Sequence, residues 1–105
     1  VLIVTAAGEE TGPLTGRGEI GEFYGARLAR RQGFRRHLTT NLIIEREDDR
    51  TASTRAFLAL VADREGRFET LATGTYRDEL RLEDDGRWRI SARRIFLETP
   101  EIPAP

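Results

Sequence analysis

Residues 72–98, "ATGTYRDELRLEDDGRWRISARRIFLE", decide how this chain folds. They contain two long runs rich in Thr, Leu, Ile and Tyr, broken by Asp85-Gly86, a strong signal for a tight turn between paired strands. Working outward, residues 35–47, 51–64, 67–83 and 87–98 make four such runs, separated by "DDR", "REGR" and "EDDGR". A parallel connection needs a dozen or more residues, so these short breaks predict antiparallel hairpins. The predicted strands exceed the usual five or six residues and therefore must twist and curl, with help from bulges. Gly74, inside the third run, is a candidate bulge or bend.

Upstream of the meander lies the only good helical pattern. In "EIGEFYGARLARRQ", Ile20, Phe23, Tyr24 and Leu28 recur at the spacing of one helical face. Glu19 and Glu22 come early and Arg27, Arg30 and Arg31 late, which suits the helix dipole. Gly33 is placed to take a left-handed cap. Residues 1–6 read as a strand, followed by Gly-Pro-Thr punctuation with a short strand around Leu14. The expected class is α+β: a strongly curved, mostly antiparallel sheet wrapped around helices. One helix is little cover for so much sheet, and the sequence has no methionine. Both features lead to the expectation that N-terminal helices precede Val1.

The 105 residues suit a single domain, 1–105, expected to be N-terminally incomplete. Net charge is −1, so no overall field draws the chain to nucleic acid or an anionic membrane. The stretch "RLARRQGFRRH" is locally basic, but it reads as a solvated helix end rather than a nucleic-acid patch. All 17 basic residues are arginine, a bias that fits genome composition better than function. With no cysteine, thiolate chemistry and disulfides are excluded. One histidine and no cysteine cannot build the usual nitrogen and sulfur metal sites, so no metal is expected. No apolar run reaches the roughly 20 residues needed to span a bilayer. The opening "VLIVTAAG" is too short for an export signal, and a cytoplasmic location is expected.

Few residues here suit chemistry. His37 is the natural general acid or base, since an ordinary imidazole titrates near neutrality. Side chains alternate along a strand, so His37, Thr39 and Asn41 are expected on one face, with His37 and Asn41 roughly 13 Å apart. They then line one pocket wall at two depths; the other reading is a structural histidine at a sheet rim or subunit interface. Tyr76 and Asp78 share a face of the third long run. Tyr76 suits donation to a carbonyl or enolate, and Asp78 suits orienting a histidine. Asp78 equally suits a cross-strand pair with Arg93 or Arg94. Phe57, Phe68, Trp88 and Phe96 are candidates for an aromatic wall, or for core and interface anchors.

Taken together, "GRGEIGEF", "RRHLTTNLIIE" and the stretch at 72–98 resemble the SnoaL-like branch of the nuclear transport factor 2-like superfamily. The resemblance covers residues 14–98. Its most specific parts are Arg36, His37 and Asn41, then Gly74, Tyr76, Asp78, Gly86, Trp88, Ile90 and Arg93 or Arg94. It implies a cone-shaped sheet around helices with a deep apolar pocket. It also implies a small apolar or aromatic ligand and, if there is turnover, proton-transfer chemistry of the dehydratase, isomerase or cyclase type without a cofactor. His37, Tyr76 and Asp78 are then the catalytic candidates, and Thr39, Asn41, Phe57 and Trp88 the ligand-binding ones. The same resemblance extends to β subunits of aromatic-ring-hydroxylating dioxygenases. That leaves open a structural role beside a dioxygenase α subunit, and a homo-oligomer formed through the sheet.

Overall fold

The computed structural model describes residues 1–99 and 101–105. In chain order the elements are β1 (Leu2–Ala6), β2 (Glu9–Leu14), α1 (Gly16–Leu28), β3 (Arg35–Arg46), β4 (Thr51–Arg64), β5 (Arg67–Leu82) and β6 (Trp88–Leu97). The four long runs are four long strands, as their short connections require. The sheet order is β2-β1-β6-β5-β4-β3. All neighbours are antiparallel except β1 and β6, which run parallel. The first strand therefore docks beside the last, and α1 lies on one face of the sheet, making an α+β fold.

That inner face holds the core. Alternate residues of β4 (Ala52, Thr54, Ala56, Leu58, Leu60 and Ala62) are buried, which is the period of a half-covered strand. Leu2, Val4, Leu58, Tyr76 and Ile95 form the central cluster, and Ile20, Phe23 and Tyr24 of α1 pack against it. Leu28, expected on the same helical face, is 48% exposed. The helix tightens there: the Arg30 and Arg31 amides bond the carbonyls three residues back, at 3.0 Å each. At the other end, the Thr15 amide donates to the Glu19 carboxylate at 2.7 Å and anchors the first turn. Gly33 adopts φ +72°, but beyond this turn rather than as the cap itself.

The expected bend at Gly74 is not a bulge. Register runs unbroken through it, from Leu58 on one side to Leu97 on the other. Glycine is needed there because a Cβ would drive into the Phe96 carbonyl. The irregularities fall instead between Leu2 and Val4, Thr40 and Ile43, Leu60 and Val61, and Glu79 and Leu80. Each extra residue sharpens the local bend of the sheet.

α1 covers only part of the inner face. Ile44, Trp88 and Ile90 register with the inner row of Ala52, Thr54, Leu80 and Leu82, yet they are 63%, 40% and 47% exposed. In the covered part, a polar clamp ties β5 to β6. The Asp78 carboxylate, 8% exposed, accepts from Arg93 Nε and Nη2 at 2.8 Å each. The guanidinium lies 4.1 Å above the Tyr76 ring. Forked geometry and the aromatic support make this one of the stronger forms of ion pair. Removing one partner of such a pair leaves an uncompensated buried charge. Asp78→Ala is therefore expected to lower unfolding free energy by about 3 kcal/mol, read as a lower urea midpoint.

Candidate functional site

Between α1 and the inner face lies a cleft of about 60 Å³. Its walls are largely apolar: Val4 from β1, Leu58 and Leu60 from β4, Ile95 and Leu97 from β6. Three polar-tipped side chains enter it: Tyr24 from α1, His37 from β3 and Tyr76 from β5. His37 stands opposite Leu60 in the β3–β4 ladder, and that register turns its ring toward the cleft. The residue as a whole is exposed, so the ring borders both cleft and solvent. No side-chain hydrogen bond found among the described residues involves Tyr24, His37 or Tyr76.

The electrostatics favour uncharged forms. Partial burial lowers the His37 pKa below its ordinary 6.5, and the Arg93 charge lowers it further. His37 is thus neutral at pH 7 and can accept a proton. Burial raises the phenol pKa of both Tyr24 and Tyr76, although Arg93 opposes the rise. Both phenols stay protonated and can donate. Asp78 and Arg93 neutralise each other, so the cleft is lined by neutral donors and acceptors beside a cancelled charge pair.

Of the expected residues, the fold brings His37 and Tyr76 together. Asp78 is adjacent but outside the cleft lining, and both its oxygens are engaged by Arg93, the cross-strand pair that the sequence offered as the alternative. Thr39 faces inward by register, opposite Leu58, but is exposed and does not border the cleft.

Asn41 departs from the expectation. Thr40 pairs with Phe57 and Ile43 with Arg55, so Asn41 and Leu42 together oppose Ala56. This two-for-one bulge breaks the alternation between His37 and Asn41. Asn41 takes φ +56°, a left-handed conformation that asparagine tolerates better than most residues. It borders the outer groove instead, with Phe57, Arg55 and Arg77. Phe57 is on the outer face because it pairs with Thr75 and Thr40, and it is 56% exposed. Trp88 sits at the far end of β6 beneath the Arg46 guanidinium, 5.4 Å from it. Neither Phe57 nor Trp88 touches the cleft, so the expected aromatic wall does not form.

Sequence reasoning gave Tyr24 and Arg93 no site role. The available signal was weak: Tyr24 carries the only polar tip among the four residues of the helical apolar stripe. The cleft is small beside the deep pocket that was expected, and Ile102, Pro103 and Pro105 border it.

The SnoaL-like domain family matches residues 3–94. No curated protein sequence matches the chain. Among solved structures, it is similar to a protein of unknown function from Mycobacterium tuberculosis, with 30% identity and a TM-score of 0.71 over 91% of this chain and 53% of that one. It is also similar to a Catenulispora acidiphila protein in complex with S-DNPA, with 22% identity and a TM-score of 0.74 over 90% of this chain and 69% of that one. A third likeness is to the β subunit of a putative aromatic-ring-hydroxylating dioxygenase from Novosphingobium aromaticivorans, with 20% identity and a TM-score of 0.74 over 98% of this chain and 71% of that one. The chain thus spans about half the length of the first of these proteins. Other similar structures carry the descriptions cystatin-like and NTF2-like fold, in keeping with a sheet curved around a helix. With most of its length matched and the same fold around it, this chain belongs to the SnoaL-like domain family.

Proposed function

We propose that the cleft binds a small, neutral, mostly apolar cyclic molecule carrying a carbonyl or similar oxygen, and that His37 exchanges a proton with it. The carrying observation is the meeting of a neutral imidazole and two protonated phenols in an otherwise apolar cleft. Tyr24 and Tyr76 donate to the oxygen, and apolar walls keep water away. His37 takes a proton from the carbon beside the carbonyl, leaving an enolate held by the phenols. The proton returns at another carbon in an isomerisation. In a dehydration, it leaves on the departing hydroxyl as water. These steps need only groups the chain supplies. The ligand-bound Catenulispora acidiphila relative supports a binding role for this fold.

A second reading has its own support in the dioxygenase β-subunit likeness. There the domain is a structural subunit beside a dioxygenase α subunit, and His37 only packs. His37→Gln separates the two. With a panel of bicyclic aromatic ketones as substrates, the first reading expects turnover to fall by about 10²- to 10⁴-fold. Unfolding free energy should change by less than about 1 kcal/mol, because the residue is exposed. A parent chain that turns over none of the panel supports the structural role.

The imidazole gives a second test. Its folded-state pKa lies below the unfolded value, so between the two values the unfolded chain binds more protons. Stability due to this residue is constant above both values and falls as pH drops through that window. By proton NMR, the His37 midpoint is expected below 6.5. In Arg93→Gln it should rise, since a nearby positive charge is lost and the Asp78 carboxylate is uncovered.

Cleft size gives the third. About 60 Å³ is well short of the roughly 300–1,000 Å³ of small-molecule pockets, so residues 101–105 must make way for a ring. Ile102→Ser is expected to tighten binding of the same ketones several-fold, measured by calorimetry; unchanged affinity means the tail does not compete with the ligand.

A further inference from the structure

Beyond the cleft, the inner face runs on to a second hollow at one end of the sheet. His37 and Leu60 line the cleft as a register pair, and the next inward pair on the same strands, roughly 7 Å further, is Arg35 and Ala62. There β4 turns into β5 through Arg64, Glu65, Gly66 and Arg67. Arg30, just past the end of α1, Arg35 of β3, and Arg64 and Arg67 of the hairpin all border one open groove of about 1010 Å³. Arg64 and Arg67 are direct register partners, so like charges face each other across the mouth of the hairpin. Among the described residues, Arg30, Arg35 and Arg67 make no ion pair. Arg64 meets Glu69 at 3.4 Å, but both side chains are half or more exposed, and such a pair contributes little. Arg35 donates from Nη1 to the Gln32 and Phe34 carbonyls at 2.8 and 3.3 Å, yet its Nε is buried with no acceptor. Asp63, also at the groove, spends Oδ1 on the Gly66 amide at 3.2 Å.

We infer that this groove binds a phosphate group. Guanidinium groups from a helix end, an edge strand and a hairpin converge on it, and three of them have no carboxylate to answer their charge. The planar fork of arginine matches an oxyanion, and a phosphate has enough charge and acceptors to serve more than one fork. A single carboxylate would leave much of the repulsion between Arg64 and Arg67 in place. The carbonyls past α1, whose negative ends would repel an anion, are already covered by Arg35. Asp63, Glu65 and Glu69 border the same groove and would repel a strand of phosphates running along it. The occupant is therefore a small phosphate rather than a nucleic acid. A free phosphate and the phosphate end of a small organic ester share this chemistry, and the groove has room for either. Such a site needs neither turnover nor a ligand in the cleft, so it stands or falls apart from the proposed chemistry.

Titration calorimetry of the full chain with inorganic phosphate and with glycerol phosphate tests this. The salt is held at about 0.15 M, where exposed charges are screened beyond roughly 8 Å. Saturable one-to-one binding is expected for at least one of the two. Tighter binding of inorganic phosphate assigns the free ion, and tighter binding of glycerol phosphate assigns an ester. Arg30→Gln and Arg67→Gln should each weaken binding by about tenfold or more, the usual effect of losing a charged hydrogen bond. Both side chains are exposed and without an ion pair, so neither change should move the urea midpoint. Arg17→Gln, in the first turn of α1 and roughly 20 Å from Arg30 along the chain's helix, should leave affinity unchanged. No binding of either compound would overturn the inference. So would affinity that survives in both Arg30→Gln and Arg67→Gln, or that falls equally in Arg17→Gln, which is the mark of diffuse attraction to any surface arginine.

Discussion

The pairing of Asp78 with Arg93 is the constraint around which the rest is arranged. The two residues face each other across β5 and β6, beside the place where β1 enters the sheet in parallel with β6. An aspartate 8% exposed is tolerable only if its charge is met, and Arg93 meets it with two bonds. The fork fixes the guanidinium plane, and that plane rests on Tyr76. One ion pair thus ties two strands, orients a phenol and places a positive charge near His37. Arg93 opposes the burial-driven rise in the pKa of both phenols, while for His37 it acts in the same direction as burial. A single group therefore biases all three polar tips of the cleft.

Around that pair the sheet divides its labour between its faces. The inner face supplies apolar cover, with α1 packed on the cluster of Leu2, Val4, Leu58, Tyr76 and Ile95, and with Leu58 and Leu60 of β4 lining the cleft. The outer face keeps nearly all of its charge exposed, in rows set by strand register rather than by sequence neighbours. The bulge at Asn41 and Leu42 divides the edge strand between these roles. Before it, odd-numbered residues such as His37 look inward; after it, Ile44 registers with the inner Thr54. Without the extra residue, His37 and Asn41 would share a wall, and Ile44 would turn outward.

Much of the fold was legible because its signals are local. Breaks of a few residues allow only hairpins, and Asp85-Gly86 marks a turn; Gly86 indeed takes φ +79°. The apolar stripe of α1 is equally local, and three of its four residues pack as the period implies. Legibility fell where distant pairing decides. Nothing near Val1 tells that β1 slots beside β6, more than 85 residues away. The parallel neighbour and the position of each bulge depend on partners that sequence periodicity does not see. The site followed the same rule. His37 and Tyr76 stood out by chemistry and stayed together, whereas Asn41, Phe57 and Trp88 were placed by alternation or type alone, and register sent them elsewhere.

By itself, then, the sequence determined a helix and four long hairpin-linked strands, a neutral overall charge balance and a single imidazole. Each follows from composition or from contacts a few residues apart. Tertiary structure alone decided which side of the sheet each late residue faces. It also decided which of two arginines answers Asp78, and that a helical tyrosine would complete the cleft. A one-residue bulge reverses every side chain beyond it, and its position is settled by the neighbouring strand.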